Sequence, residues 1–238
     1  MRALLLAGGR GSRLLPFTTV FPKPLAPVGD RPIVEILLRQ LAAAGFVHAT
    51  LSVGYLGRLI QAYIDTIGGV PGLEIDWLEE GDPLGTAGPA GLLADRESPI
   101  LSINADILTD LDFRSFAAFF AAERPALAAA VAPRENEIGF GVLETDAAGD
   151  LTDWVEKPRT VHLCSMGVNW LGPAALQTVV PGERLDMPDL ARRLIGRGDR
   201  VATWRWDGYW RDIGRVADYE LAQAEFAEWG ARLLPAEG

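Results

Sequence analysis

The chain has 238 residues, 49% of them hydrophobic and 23% charged, which suits a globular protein with a substantial core and excludes a disordered one. Its formal net charge of −10 argues against a nucleic-acid binder, which would carry a broad basic face. One cysteine, Cys164, leaves no internal disulfide and no cysteine metal cluster and reads as a core residue; no apolar run approaches membrane-spanning length.

Residues 1–7 form a short apolar run that predicts a buried first strand. It is interrupted too soon by Arg10 and Arg13 to be a signal peptide, so a cytoplasmic protein is expected. Pro32 suits a helix first turn, and apolar spacing predicts a helix over 32–44, ended by Gly45. Strands are predicted at 48–53, 73–78 and 99–104, with helices at 56–66, 86–94 (short) and Asp112 to Glu123. This alternation implies an α/β fold with a parallel sheet, right-handed crossovers and a ligand beyond the carboxyl ends of the strands. Further strands are predicted at about 126–132, 139–145, 150–156 and 163–171, with few helices between them. They imply an added, partly antiparallel region over the sheet's active face. Helices at about 186–196 and 215–229 close the chain, and no linker, low-complexity stretch or repeat divides it. Trp204 and Trp206 share one face of a strand and read as core or interface. His48 and His162 lie far apart and show no metal spacing.

Positive charge is local. Residues 1–31 hold Arg2, Arg10, Arg13, Lys23 and Arg31 against Asp30 alone, a pattern that suits a small polyanion. After the first strand come Gly8, Gly9, Arg10, Gly11, Ser12 and Arg13, where glycines let the backbone turn and aim N–H groups at phosphate oxygens. This is neither a Walker P-loop nor a G-x-G-x-x-G fingerprint, and a plain glycine turn with surface cations is the other reading. Both lysines among the 22 basic residues sit before proline, Lys23 and Lys157. Lysine is a compact point charge that fits a crowded phosphate where the planar arginine fork often does not.

Taken whole, the segments Leu6-Ala7-Gly8-Gly9-Arg10-Gly11-Ser12-Arg13-Leu14 and Phe21-Pro22-Lys23-Pro24 resemble the sugar-1-phosphate nucleotidyltransferases, or nucleoside-diphosphate-sugar pyrophosphorylases. The resemblance continues through Ile103-Asn104-Ala105-Asp106, Glu156-Lys157-Pro158 and Tyr209-Trp210-Arg211-Asp212-Ile213-Gly214. It implies a Rossmann-like three-layer sandwich with a mostly parallel central sheet and a small, partly antiparallel sugar-binding region. It also implies a single domain over 1–238, with a nucleotide-binding half to about residue 125 and a sugar-binding half thereafter. The β-helix hexapeptide repeats that some longer family members append are absent.

By this resemblance Asp106 and Asp212 are Mg²⁺ ligands, in keeping with the preference of Mg²⁺ for one or two carboxylates plus phosphate oxygens. Leu6, Ala7 and the backbone from Gly8 to Ser12, with Arg13, would hold the nucleotide and its β- and γ-phosphates, and Lys23 the α-phosphate. Gly141, Glu156, Lys157, Ser165 and Gly167 would hold the sugar phosphate, and Gly85 and Thr86 would join Glu80 on the nucleotide. Asp110 and Asp112 read as cap and surface residues. Ser12 stands where Thr is usual and Ala105 where Gly is usual. Ser165 and Asn169 depart from an N-x-G-[IV]-Y segment, so Asn169 does not inherit a role and the sugar is open at this point.

Relatives that take UTP or dTTP commonly carry Gln five residues before Gly85, where this chain has Glu80. A carboxylate only accepts hydrogen bonds, which suits the adjacent N1–H and 2-amino donors of guanine. Expected partners are therefore an NTP, GTP by this residue, and a sugar 1-phosphate of mannose or heptose type, with no nucleic acid or membrane. UTP or dTTP with a hexose or amino-sugar phosphate is the alternative. A catalytically silent nucleotide-sugar-binding regulatory subunit and an alcohol-phosphate nucleotidyltransferase are the rival classes. A homo-oligomer is open, since no stripe marks an interface.

Overall fold

The computed structural model describes residues 1–9 and 20–234. Its first strand, β1 (Arg2–Leu6), lies inside a seven-stranded sheet and is apolar from Ala3 to Leu6 because both sheet faces are covered. Ala3 and Leu5 enter the larger hydrophobic cluster and Leu4 the smaller one, as the period-two alternation of a strand requires. After a 3₁₀ turn at Lys23–Leu25, a small hairpin pairs β2 (Pro27–Val28) with β3 (Arg31–Pro32). Helix α1 (Ile33–Ala43) then buries Ile33, Val34, Ile36, Leu37, Leu38 and Leu41.

β4 (His48–Val53), α2 (Gly57–Thr66) and β5 (Glu74–Glu79) follow, then a 3₁₀ segment at Gly88–Leu92, β6 (Ile100–Asn104), β7 (Ile107–Thr109) and α3 (Phe113–Glu123). Asp112 caps α3, accepting hydrogen bonds from the N–H groups of Arg114 and Ser115. The second part comprises β8 (Leu127–Glu137), β9 (Gly141–Thr145), β10 (Leu151–Glu156) and β11 (Arg159–Leu171). It closes with α4 (Pro173–Thr178), α5 (Met187–Gly196), β12 (Val201–Arg205), β13 (Trp210–Asp212) and α6 (Val216–Leu233).

The sheet order is β12-β8-β11-β6-β1-β4-β5. Only β11 runs against its neighbours, β6 and β8; the remaining pairings are parallel. The larger cluster draws on α1, α2 and α3, while α4 and α5 contribute to the smaller one, giving the helix–sheet–helix layering expected from the alternation of elements. Trp204 stacks on Phe116 and on Trp206 at ring separations of 5.1 and 5.7 Å, so both indoles pack against the larger core. Cys164, expected in the core, is half-buried on β11 where that strand leaves the sheet.

Two differences from the sequence reading have physical causes. β8 and β11 run past the sheet as an antiparallel ribbon, with Arg159 opposite Glu137 and His162 opposite Arg134. The ribbon is solvated on both faces, so its residues carry no hydrophobic period. The segment expected as a short helix at 86–94 is a 3₁₀ turn, because glycine and proline populate it and its backbone is tied across to Leu185.

Candidate active site

Lys23 opens the 3₁₀ turn after β1 and is 6% exposed. A buried ammonium needs an ionic partner, and it has two. Its Nζ donates to the Asp106 carboxylate and lies 3.7 Å from Oδ1 of Asp212. Asp106 follows β6 in a turn whose Ala105 N–H is anchored to the Leu6 carbonyl at 3.1 Å. Asp212 ends β13, which pairs with β7 so that Asp212 stands opposite Ile107. The N–H of Ile213 then donates to the Asp106 carbonyl at 3.0 Å. Three segments far apart in sequence thus bring one lysine and two carboxylates together.

Beside this cluster opens a cavity of about 300 Å³ lined by Leu6, Gly8, Gly9, Glu80, Pro83, Gly85, Thr86, Asn104 and Asp106. Glu80 sits just beyond the C-terminal end of β5. Its Oε1 accepts from the buried Ser52 hydroxyl at 2.6 Å, and its Oε2 from the Leu84 N–H at 2.9 Å. Each oxygen keeps a second lone pair for a ligand. A Cβ at Gly8 would stand 2.6 Å from Glu80 Oε1 and would displace that carboxylate. Thr86 is held from below: its N–H reaches Asp186 Oδ1 at 3.0 Å, and its hydroxyl oxygen accepts from the Met187 N–H at 2.7 Å. Ala7 is buried behind the cavity, its N–H bonded to the Ser52 carbonyl. Gly11, Ser12 and Arg13 lie outside the described residues.

The residues expected at the sugar are more dispersed. Gly167 sits in the bulge of β11 between Ser165 and Asn169, with φ of +75°. A Cβ there would meet the Asn104 amide at 2.6 Å, so the bulge closes on the cavity wall. Ser165 stays local, its hydroxyl oxygen 3.4 Å from the Gly167 N–H. Gly141 and Glu156 face each other across β9 and β10. Lys157 follows, exposed and in a left-handed backbone conformation. Among the described residues, no hydrogen bond or ion pair joins Glu156 or Lys157 to Lys23, Asp106 or Asp212.

Sequence reasoning passed over the supports of the site. Asp110, read as a cap or surface residue, instead accepts from Trp206 Nε1 at 3.0 Å and from the Tyr209 N–H at 2.7 Å, and so fixes the approach to β13. Glu225 of α6 grips Arg211 through both carboxylate oxygens, at 2.9 and 2.6 Å, and accepts from the Tyr209 hydroxyl at 3.0 Å. Burial and that bond push the Tyr209 hydroxyl up to about 12, so it stays a donor at neutral pH. Ser52 carried a signal in the sequence: with His48 and Thr50 it forms a polar alternation in a strand whose other residues are apolar.

Among the described residues no helix is long and apolar enough to cross a membrane. The mannose-1-phosphate guanyltransferase of Schizosaccharomyces pombe is 30% identical over 227 residues, spanning 92% of this chain and 62% of that protein. The low-salt glycan biosynthesis nucleotidyltransferase Agl11 of Haloferax volcanii is 29% identical over 228 residues, 92% of this chain and 64% of that protein. The chain therefore spans about three fifths of the length of the curated relatives it matches. The fold is that of HddC from Yersinia pseudotuberculosis complexed with GMP-PN, at a TM-score of 0.72, 22% identity and 94% and 99% coverage of the two chains. A putative glucose-1-phosphate thymidylyltransferase from Bacillus anthracis has a TM-score of 0.73 at 20% identity, covering 98% of this chain and 99% of that one. Residues 2–228 match the family described as nucleotidyl transferase, and the chain belongs to that family.

Proposed function

We propose that this protein transfers a nucleotidyl group from an NTP to a sugar 1-phosphate, releasing pyrophosphate and an NDP-sugar. The observation that carries the reading is the buried Lys23 held between Asp106 and Asp212 at the mouth of a nucleotide-sized cavity. An oxygen of the sugar phosphate attacks the α-phosphorus in line as pyrophosphate leaves. The attacking phosphate is already ionised, so no protein nucleophile or general base is needed. The chain's task is to align two mutually repelling anions and neutralise their charge. Lys23 is placed to meet charge developing at the α-phosphate. Lys157 would hold the sugar phosphate, Glu156 would accept hydrogen bonds from sugar hydroxyls, and Arg13 with the Gly8 to Ser12 backbone would hold the leaving phosphates.

The donor set fits a divalent cation. Asp106 and Asp212 converge within reach of one ammonium, and among the described residues no third His, Cys, Asp or Glu completes an all-protein cage. Two carboxylates with the other positions left to phosphate oxygens and water is the habit of Mg²⁺. When bound there, Mg²⁺ would neutralise the reacting phosphates.

For the nucleobase, the free lone pairs of Glu80 suit guanine, which offers two adjacent donors where uracil or thymine offers one. The guanyltransferase relatives support GTP with a mannose-type phosphate, and the neighbour complexed with GMP-PN supports a guanine nucleotide; a heptose-type phosphate is the other sugar proposed. The test is pyrophosphate release with Mg²⁺ over a grid of GTP, UTP, dTTP, CTP and ATP against mannose-, glucose-, N-acetylglucosamine-, N-acetylmuramic- and heptose-1-phosphates. Turnover with GTP and a manno-configured phosphate is expected. Turnover with UTP or dTTP would keep the reaction and discard Glu80 as a guanine reader. Binding of a nucleotide sugar without turnover would make the chain a regulatory subunit.

A further inference from the structure

Asn104 ends β6 and lines the Glu80 cavity without taking part in the Lys23 cluster. It is half-buried, and among the described residues its amide makes no hydrogen bond. Neither amide atom is sealed in the interior, so both remain open to the cavity. β11 makes room for this amide. The strand bulges between Ser165 and Asn169, and a Cβ on Gly167 would stand 2.6 Å from Asn104 Nδ2. Gly167 also has φ of +75°, a conformation that side chains rarely adopt. The backbone thus gives way to a polar group that bonds nothing in the protein. Its donor and its acceptor are left for a ligand.

The place of Asn104 in the sheet selects the part of the ligand it meets. Leu6 pairs with Asn104 on one side and with Ser52 on the other, so the three side chains form one row across β6, β1 and β4. They share one face of the sheet. Ser52 holds Glu80 at one end of this row, and Asn104 is the other end. Two strand spacings separate the ends, about 10 Å. That length matches a nucleoside measured from the donor edge of a purine to its ribose hydroxyls. A base read by Glu80 therefore lays its ribose over Leu6, with the hydroxyls at the Asn104 end.

We infer that the Asn104 amide binds a hydroxyl of the nucleotide's ribose. The hexose of the sugar phosphate presents the same chemistry from the β11 side, and the test separates the two. The inference rests on the reaction proposed above and on Glu80 as the base reader.

The experiment compares GTP, or UTP where the grid above selects it, with its 2′-deoxy and 3′-deoxy analogues. kcat/KM for each, and KM for the sugar phosphate, are measured in the wild-type protein and in Asn104→Ala, with circular dichroism checking the fold. Asn104→Ser, which keeps a polar group but not the amide, carries the comparison if the alanine variant does not fold. In the wild type one deoxy analogue should be about 10-fold poorer than the parent nucleotide, the scale of one lost hydroxyl bond. Asn104→Ala should lower kcat/KM for the parent nucleotide by a similar factor and leave that analogue unchanged. A merely structural Asn104 would lower all three nucleotides in proportion, which overturns the contact. A deoxy penalty that persists in Asn104→Ala also overturns it, and a KM for the sugar phosphate raised about 10-fold at the same time gives the amide to the hexose instead. A wild-type protein without turnover is tested by calorimetry with GTP and its two deoxy analogues. An affinity ratio abolished by Asn104→Ala then keeps the contact and overturns the reaction. An unchanged ratio overturns the contact, and in an active enzyme it leaves the reaction standing.

Discussion

Lys23 shows how a single side chain can tie a site together. It is nearly fully buried, and its charge is balanced only because β6 and β13 deliver a carboxylate each. Lys23→Ala or Asp106→Ala is expected to lower turnover by at least about 100-fold, the scale of losing one electrostatic stabiliser. Steady-state pyrophosphate release, with an unchanged circular dichroism spectrum as control, measures it; near-wild-type turnover in either variant would sink the assignment. Glu80→Gln tests base reading. Replacing an acceptor-only carboxylate by an amide should cut the preference for GTP over UTP by about 10-fold or more, because one guanine donor then meets an N–H. A GTP/UTP ratio unchanged in kcat/KM would remove Glu80 from recognition. Lys23, Glu80, Asp106 and Asp212 were legible in the sequence because each stands in a short, recognisable run. Asp110 and Glu225 were not: they act by holding another residue across the fold, and nothing in their neighbours along the chain records that partner.

The regular elements were legible wherever a period existed. The strand at 48–53 and the helix capped by Asp112 follow from apolar spacing and cap chemistry. β7, β13 and the β2–β3 hairpin are two or three residues long and are too short to show any period. Element packing holds a further test in α1. Glu35 is 3% exposed and accepts from Arg31 at 2.8 Å, from Arg39 at 2.7 Å and from the Tyr63 hydroxyl of α2. Burial alone would raise its pKa, but the bonds from Tyr63, Arg39 and Arg31 outweigh it and hold the carboxyl below the ordinary 4.5. A depressed carboxylate stabilises the fold above its unfolded pKa and loses that contribution as pH falls through the folded value. Glu35→Gln should therefore cost about 2 kcal/mol at pH 7 by weakening a buried ionic network. The gap to wild type should narrow as pH falls below 4.5. Urea midpoints at neutral and acid pH measure both; a gap that widens in acid would contradict the assigned sign.

At the scale of the whole molecule, the two functional halves expected from the sequence are not two packing units. β11, from the second half, is inserted between β6 of the first half and β8, so the sheet cannot be divided at residue 125 without breaking strand pairing. The larger hydrophobic cluster takes residues from Ala3 to Leu233 and includes α1, β4, β6, β8, β11 and the end of α6. α6 also reaches back to the hairpin after Lys23: Gln223 and Tyr219 both donate to the Pro27 carbonyl, at 2.6 and 2.7 Å. This helix follows directly on Asp212, so it links the lysine and the second carboxylate through one rigid element. The nucleotide-side residues and the bulge of β11 at Gly167 therefore depend on a common core, and we expect them to be lost together. Thermal or urea unfolding should give coincident transitions by far-UV circular dichroism and by tryptophan fluorescence, since Trp170 and Trp204 report the second half from within the shared core. The solvated ribbon of β9 and β10 lies outside that core and should exchange its amide hydrogens well before those of β1 and β6. Two separated transitions would mean that each half folds alone and that the site forms only on docking, which would make the Lys23, Asp106 and Asp212 cluster a consequence of inter-half closure rather than of a single fold.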